Sequence, residues 1–265
     1  MEDFRFKKKY GQNFIKDKNI VKKMCELSNL KNNSLIIEVG TGEGILTDVL
    51  SHYGEVLSYE IDSSLKDKLD SKFSSYKNVH IIYDDFMKRN IEEDVENYSF
   101  DNLYFISNVP YYITTPILMK IINSHLNVSK IVIMVQKEVA KRFTSKPGSK
   151  DYSSISVFLN YFFDSKILFN VSRGSFYPVP NVDSAVIEFD IKDKLLPVSN
   201  YDLFFNIIRD SFQFKRKTIR NNLKGYDLDK ISEVLKSYGY DLSVRAEELS
   251  VDIFVSISNA LCKEK

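Results

Sequence analysis

Leu35-Ile36-Ile37-Glu38-Val39-Gly40-Thr41-Gly42-Glu43-Gly44 passes from an apolar run through three alternate glycines, and Ile45 to Leu50 follow with helical spacing. A buried strand, a tight turn and a helix are the parts that this order predicts. Glycines at such a turn let the backbone bend sharply and come close to a bound nucleotide. The spacing G-x-G-x-G departs from the dinucleotide pattern G-x-G-x-x-G. Glu43, expected in the first turn of the helix, would repel a pyrophosphate seated where anions are otherwise favoured. A nucleoside cofactor without phosphates suits the loop better.

Outward from this stretch the pattern repeats. Apolar runs at Val56 to Tyr59, Val79 to Tyr83, Leu103 to Ile106 and Ile131 to Val135 read as further buried strands, separated by helical segments such as Leu65 to Phe73. Strand alternating with helix predicts βαβ units and a parallel sheet. A first helix is expected from about Asn19 to Ser28, and another over Lys137 to Phe143. The runs Phe162 to Val171 and Ala185 to Ile191 read as a hairpin-like pair closing the sheet, with Pro178 and Pro180 in the loop between them. Lys192 to Ser199, with its charges and Pro197, reads as a linker. Beyond it the apolar residues recur only at helical spacing. The fold expected is therefore α/β: a parallel, Rossmann-like sheet over 1–195, and a small all-helical C-terminal domain over 196–265.

Composition narrows the function classes. With 265 residues and 43% apolar content the chain can bury a full core. Its 37 basic and 36 acidic residues leave a net charge of +1, so any attraction to a polyanion must be local. Cys25 and Cys262 form no metal-ligand spacing and no disulfide framework, which fits a reducing cytoplasm and predicts no metal. No run approaches the roughly 18 apolar residues of a membrane span, and the basic N-terminus lacks an apolar signal core. A soluble protein is expected.

Three further positions complete a site. Glu60 closes the second strand 20 positions after Gly40, the offset at which an acid accepts hydrogen bonds from ribose hydroxyls. Asp85, after the third strand, can accept from an adenine amine with Phe86 against the ring, or simply cap a turn. Asn108-Val109-Pro110-Tyr111 stands at the end of the strand Leu103 to Ile106, the edge where open α/β sheets bind ligands. The lone pair of a nucleobase amine is delocalised into the ring, and acceptors for its two N–H groups restore it. Asn108 offers one carbonyl oxygen, and backbone carbonyls beside Pro110, which has no N–H to compete, offer the second. Tyr111 supplies a face for a flipped base, worth about 1 to 3 kcal/mol. An Asn-x-Pro strand end is the plain alternative. Taken together these parts describe a site for S-adenosylmethionine, whose sulfonium methyl needs only an aligned amine. His52, His80 and His125 fall outside every motif.

With these segments the chain resembles the ribosomal RNA adenine N6-dimethyltransferases. The resemblance is carried by Gly11 to Ile15, Glu38 to Gly44, Glu60, Asp85, Asn108 to Tyr111 with Thr115-Pro116, and Phe176-Tyr177-Pro178-Val179-Pro180-Asn181-Val182-Asp183-Ser184-Ala185-Val186. Lys215 to Leu223 and Arg245 to Leu249 are similar to the small-subunit branch. The resemblance implies methylation of two adjacent adenosines in a hairpin near the 3′ end of 16S rRNA during small-subunit maturation. It also implies a sheet of the class I methyltransferase type and cofactor contacts by Asn13, Ile15, Gly40, Glu60, Asp85 and Asn108; a monomer is expected. Gly42 belongs to the same loop. Val109, Tyr112 and Thr41 depart from the family's usual leucine, asparagine and proline.

Lys215, Arg216, Lys217, Arg220 and Lys224 fall in an acid-free segment. On a helix from about Arg216 to Leu223, Arg216 and Arg220 would be i,i+4 neighbours forming a cationic ridge for phosphates, or merely a solvated face. Lys137, Lys141, Arg142 and Lys146 could extend such a surface. The basic arm Arg5 to Lys9 is a second RNA candidate. Phe176 is a second ring that could sandwich a flipped adenine, or a packing residue. Against the enzyme stand an assembly factor that works mainly by binding, a DNA adenine methylase and a nucleotide dehydrogenase. A DNA methylase does not account for Phe176 to Val186, and Glu43 disfavours the dehydrogenase.

Overall fold

The computed structural model describes residues 14–109 and 113–262. Its strands are β1 (Phe14–Ile15), β2 (Ser34–Val39), β3 (Glu55–Tyr59), β4 (Val79–Ile82), β5 (Asn102–Ser107), β6 (Val128–Gln136), β7 (Phe163–Val171), β8 (Phe176–Tyr177) and β9 (Ser184–Ile191). Helices α1 (Lys18–Leu27), α2 (Ile45–Leu50), α3 (Lys66–Phe73), α4 (Ile91–Val95), α5 (Thr114–Asn123), α6 (Lys137–Phe143) and α7 (Ser154–Phe162) alternate with them. Then come α8 (Tyr201–Ser211), α9 (Ile219–Asn222), α10 (Leu228–Ser237) and α11 (Val251–Leu261).

Seven strands make one sheet in the order β4-β3-β2-β5-β6-β9-β7. The pairs β2·β3, β3·β4, β2·β5 and β5·β6 are parallel, as expected, and β9 runs antiparallel to β6. All six residues of β2 are buried, because a parallel strand at the middle of the sheet is covered on both faces and has no polar side to alternate. The chain winds outward from β2 through β3 to β4, then returns to β5 on the other flank. That reversal makes the carboxyl ends of β2 and β5 the sheet's switch point, where a crevice opens for a ligand. The glycine loop follows β2, and Asn108 follows β5.

Ile15, Val21, Met24, Leu46, Leu50 and Phe176 pack with Ile36, Ile106 and Val132 in one core cluster of the sheet-bearing unit. Each fully buried side chain of this size contributes about 1.5 to 3 kcal/mol. Of the described residues, those up to Ala140 together with Lys166–Ile191 form one compact unit, and Lys141–Ser165 with those from Lys192 onward form a second. Residues 141–165 thus group with the C-terminal helices, where the sequence reading has them beside the sheet. The reason is α7. Val157 and Tyr161 of this helix join Phe204, Ile208, Leu235 and Phe254 in the second unit's core. Its segment Ser-Ile-Ser-Val-Phe-Leu-Asn-Tyr-Phe runs straight into the apolar β7, and a helix buried on several faces shows little amphipathic period. The sequence reading accordingly starts its apolar run at Phe162 and gives 152–161 no element.

No helix among the described residues is long and apolar enough to cross a membrane. Nor do the described residues contain a His, Cys, Asp and Glu group able to hold a metal ion.

Candidate active site

The glycine loop is held at both ends by its own backbone. Gly40 N–H donates to Tyr59 O at 2.8 Å, and Gly44 N–H to Thr41 O at 2.8 Å. Gly40 and Gly42 have φ of +91° and +57°, left-handed values that a side chain makes costly. A Cβ on Gly42 would stand 2.9 Å from the Phe14 ring, and the nearest atom to one on Gly40 would be Asn108 O at 3.9 Å. Two approaches thus meet at this loop. The pairing of β1 with β8, Ile15 opposite Phe176, lays Phe14 over Gly42, and the end of β5 brings Asn108 to Gly40.

Glu60 is 4% exposed. Its Oε2 accepts from Gly42 N–H at 2.7 Å and its Oε1 from Asp62 N–H at 2.8 Å. Burial raises its pKa above the usual carboxylate value, and the two backbone N–H groups pull the other way. Each carboxylate oxygen has room for a second hydrogen bond, so the pair can still accept from a ribose diol. The fit to an adenosyl cofactor is therefore direct: an acceptor pair tied to a turn whose glycines admit close approach.

A second buried carboxylate lies under the loop. Glu38, opposite Ser58 in the register of β2 and β3, is 1% exposed. Its Oε2 accepts from Thr47 Oγ1 at 2.6 Å and from Ser58 Oγ at 2.8 Å. Ser58 Oγ also meets Thr41 Oγ1 at 2.6 Å. Burial pushes the Glu38 carboxyl up to about 8, against the pull of the two hydroxyl donors. Thr41, at the position where the resemblance has proline, therefore tethers the loop through its hydroxyl. Ser58 and Thr47 had no sequence signal beyond a polar residue inside an apolar run.

Glu43 is not in the first turn of α2, because Gly44 is the N-cap and the helix starts at Ile45. Its carboxylate accepts from Lys68 Nζ at 2.8 Å. The repulsion of a pyrophosphate assigned to Glu43 is thereby reduced, since Lys68 partners the charge. Asp85 caps the short turn after β4, with Oδ1 accepting from Met87 N–H at 3.0 Å. Phe86 is 3% exposed and packs edge-on against Tyr59 at 5.0 Å. It is a core ring and offers no face to an adenine.

Asn108 is half-buried at the end of β5. Its predecessor Ser107 accepts from Val39 N–H through Oγ at 2.8 Å, so the two strand ends on either side of the switch point are tied. Pro110, Tyr111 and Tyr112 lie outside the described residues, as do Asn13 and the arm Arg5 to Lys9. Phe176 is 0% exposed and lies in the core cluster with Ile15 and Met24. Packing, the second of its two sequence readings, is the role that this structure gives it. The exposed ring of that loop is Tyr177, 51% exposed, with Lys16 Nζ 4.6 Å from its centroid.

In the second unit the cationic ridge is not helical where expected. The helix α9 begins at Ile219 and spans four residues, so Lys215, Arg216 and Lys217 stand in a turn before it. The turn wins because the Asn222 side chain claims its carbonyls: Nδ2 donates to Ser211 O at 2.6 Å and to Phe214 O at 3.3 Å. Lys215, Arg216, Lys217 and Arg220 are all exposed. Lys215 Nζ donates to Lys150 O at 3.1 Å.

The sequence profile of the family described as ribosomal RNA adenine dimethylase matches residues 3–263. The chain belongs to the ribosomal RNA adenine dimethylase family. Relatives called ribosomal RNA small subunit methyltransferase A are 39% identical in Enterococcus faecalis, over 99% of this chain and 92% of the relative. Another from Streptococcus thermophilus is 37% identical over 97% of this chain and 92% of its own. Among solved structures, a dimethyladenosine transferase from Plasmodium falciparum superposes with a TM-score of 0.76 and 24% identity, covering 92% of this chain and 95% of that one. The 23S rRNA methyltransferase ErmE gives 0.73 and 23% identity, covering 94% and 99%. These two likenesses bear out the methyltransferase fold. Membership makes the chain an rRNA adenine dimethyltransferase with S-adenosylmethionine as methyl donor, and the reading as a binding-only assembly factor is not favoured.

Proposed function

We propose that this dimethylase methylates N6 of two adjacent adenosines in the 3′-terminal hairpin of 16S rRNA, within a small-subunit precursor, acting as a monomer in the cytoplasm. The observation that carries the reading is the meeting of Gly40, Gly42, Glu60 and Asn108 at the switch point of the sheet. Glu60 and Asn108, the candidate acceptors for the ribose and for the target amine, stand at the ends of β3 and β5, the two strands that flank β2. The small-subunit names of the relatives support the choice of target.

In this reading Glu60 accepts from the ribose hydroxyls, Asp85 from the adenine amine of the cofactor through the oxygen that does not cap its turn, and the Gly40–Gly42 backbone lies along the methionine portion. The resemblance adds cofactor contacts by Ile15 and by Asn13, which lies outside the described residues. When bound, S-adenosylmethionine supplies an electrophilic sulfonium methyl. Asn108 then accepts one N–H of the target amine, directing its lone pair toward the methyl, and a carbonyl beside Pro110 accepts the other. Tyr111 holds the flipped base by stacking. Lys215, Arg216, Lys217 and Arg220 hold rRNA phosphates, since a stacked adenine costs a few kcal/mol to extrude and the RNA must be held elsewhere.

The test is to incubate small subunits from cells lacking the enzyme with methyl-labelled cofactor and map the label by nuclease digestion. Two adjacent N6,N6-dimethyladenosines near the 3′ end are expected. Label elsewhere in the RNA would refute the target.

A further inference from the structure

Phe214 is 57% exposed, the highest value among the large hydrophobic side chains of the described residues. A single exposed phenylalanine is ordinary on a protein surface. Two observations set this one apart. The first is that its backbone is clamped. Asn222, 9% exposed, accepts Phe214 N–H through Oδ1 at 3.3 Å and donates through Nδ2 to Phe214 O at 3.3 Å. Lys217 N–H donates to the same carbonyl at 2.8 Å. The turn that carries the ring is thus fixed on both sides of it, and the exposure is built in.

The second is charge. Lys215, Arg216 and Lys217 follow directly, Arg220 is one turn on, and the stretch from Ser211 to Tyr226 contains no acid. The ring has no aromatic or cationic partner among the described residues. A flat apolar face beside a row of exposed cations matches a polyanion that also carries flat apolar faces, and single-stranded nucleic acid is that chemistry.

We propose that Phe214 is a stacking anchor for one unpaired base of the rRNA, with the cations beside it holding the flanking phosphates. This rests on the reading that Lys215 to Arg220 dock RNA, and adds to it the kind of RNA that docks: an unstacked nucleotide in place of a plain duplex backbone. Clamping matters because a backbone already fixed leaves only the ring's own rotamers to be ordered on binding.

The experiment measures binding of the full chain to deproteinised 16S rRNA and to small subunits from cells lacking the enzyme, each over a range of KCl. Phe214→Ala should weaken binding to both probes about 5- to 140-fold and leave the salt slope unchanged, because every cation that pairs with a phosphate is still in place. Phe214→Tyr should bind like the parent, and Phe214→Leu, apolar without a π face, should resemble Phe214→Ala. Replacing Lys215, Arg216, Lys217 and Arg220 together by Ala should instead flatten the slope by roughly 0.7 to 0.9 for each phosphate no longer neutralised. If Phe214→Ala or Phe214→Leu binds like the parent while the four-fold variant loses slope, the anchor is wrong and the docking surface stands. Loss by Phe214→Ala on particles alone would place the ring against a ribosomal protein and overturn the proposal. A four-fold variant with its full slope would overturn the docking surface and the anchor with it.

Discussion

Replacing Glu60 by glutamine changes the charge of the site and almost nothing of its shape. The two carboxylate oxygens accept Gly42 N–H at 2.7 Å and Asp62 N–H at 2.8 Å in a residue only 4% exposed. Glutamine has one carbonyl oxygen and one NH2. Whichever way it is turned, one of the two backbone donors faces another donor. A buried donor left unsatisfied costs about 1 to 3 kcal/mol, which at this chain length lowers the melting temperature by about 2 to 4 °C per kcal/mol. The ligand loses as well, because hydrogen bonds to a charged acceptor contribute about 1.5 to 3 kcal/mol and to a neutral one about 0.5 to 1.5. With one acceptor converted to a donor, the expected loss is about 1.5 to 3 kcal/mol, or roughly 10- to 150-fold in cofactor Kd.

Isothermal calorimetry with S-adenosylmethionine, beside thermal unfolding, reads the two effects separately. Turnover at saturating cofactor should recover most of its rate, since Glu60 touches no reacting atom. Burial raises the Glu60 pKa, so the protonated form becomes populated at a higher pH than for an exposed glutamate. Parent affinity should accordingly fall as pH is lowered toward that raised value, and the Glu60→Gln variant should not follow it. An unchanged Kd with a lowered melting temperature would refute the cofactor role and leave Glu60 as a brace between Gly42 and Asp62.

Three other outcomes are expected. Asn108→Ala should abolish single-turnover methyl transfer while calorimetry still detects cofactor, because in the proposed site the adenosyl portion is held by Glu60, Asp85 and the glycine loop; near-normal transfer would remove Asn108 from the chemistry. Glu38, pushed up to about 8 by burial, binds its proton more tightly folded than unfolded, so its contribution to stability is present below the ordinary glutamate range and is lost as pH rises through about 8. Melting temperature should therefore decline from pH 5 to 8 in the parent and decline less in Glu38→Gln, and parallel curves would count against it. Cys25, fully buried and pushed up to about 12, should resist alkylation in the folded protein while the partly exposed Cys262 reacts; mass spectrometry of tryptic peptides decides.

The sheet was legible because its strands are short apolar runs bounded by turns, and β2 to β6 fall where those runs fall. Glu60 was legible for a related reason: the offset from a glycine loop to the end of the next strand is set by the length of one helical crossover. The loop's underpinning was not. Glu38 and Ser58 look like polar interruptions of strands until the register places them opposite each other, and nothing in the chain order states that register. Glu43 was misplaced by the usual uncertainty of a helix start. The pairing of β1 with β8 was also hidden, since each strand has two residues, too few for any period to show.

Asn222 marks the deeper limit of reading by period. Its neighbours include the good helix formers Lys215, Arg216, Lys217, Arg220 and Leu223, and the spacing of Arg216 and Arg220 suggests one helical face. A helix there would need the carbonyls of Phe214 and Lys217 for its own ladder. In the structure the Asn222 amide reaches back across the turn to Ser211, Phe214 and Lys217 carbonyls, while Ile219 and Arg220 N–H donate to Val244 and Leu242 at 2.8 and 3.0 Å. Several backbone groups that propensity assigns to a helix are thus satisfied by a side chain and by a distant strap. Local propensity ranks conformations only when the competing partners are equal. Here a buried amide makes the turn the better-satisfied choice, and it is the turn that leaves Phe214 and its cations facing outward.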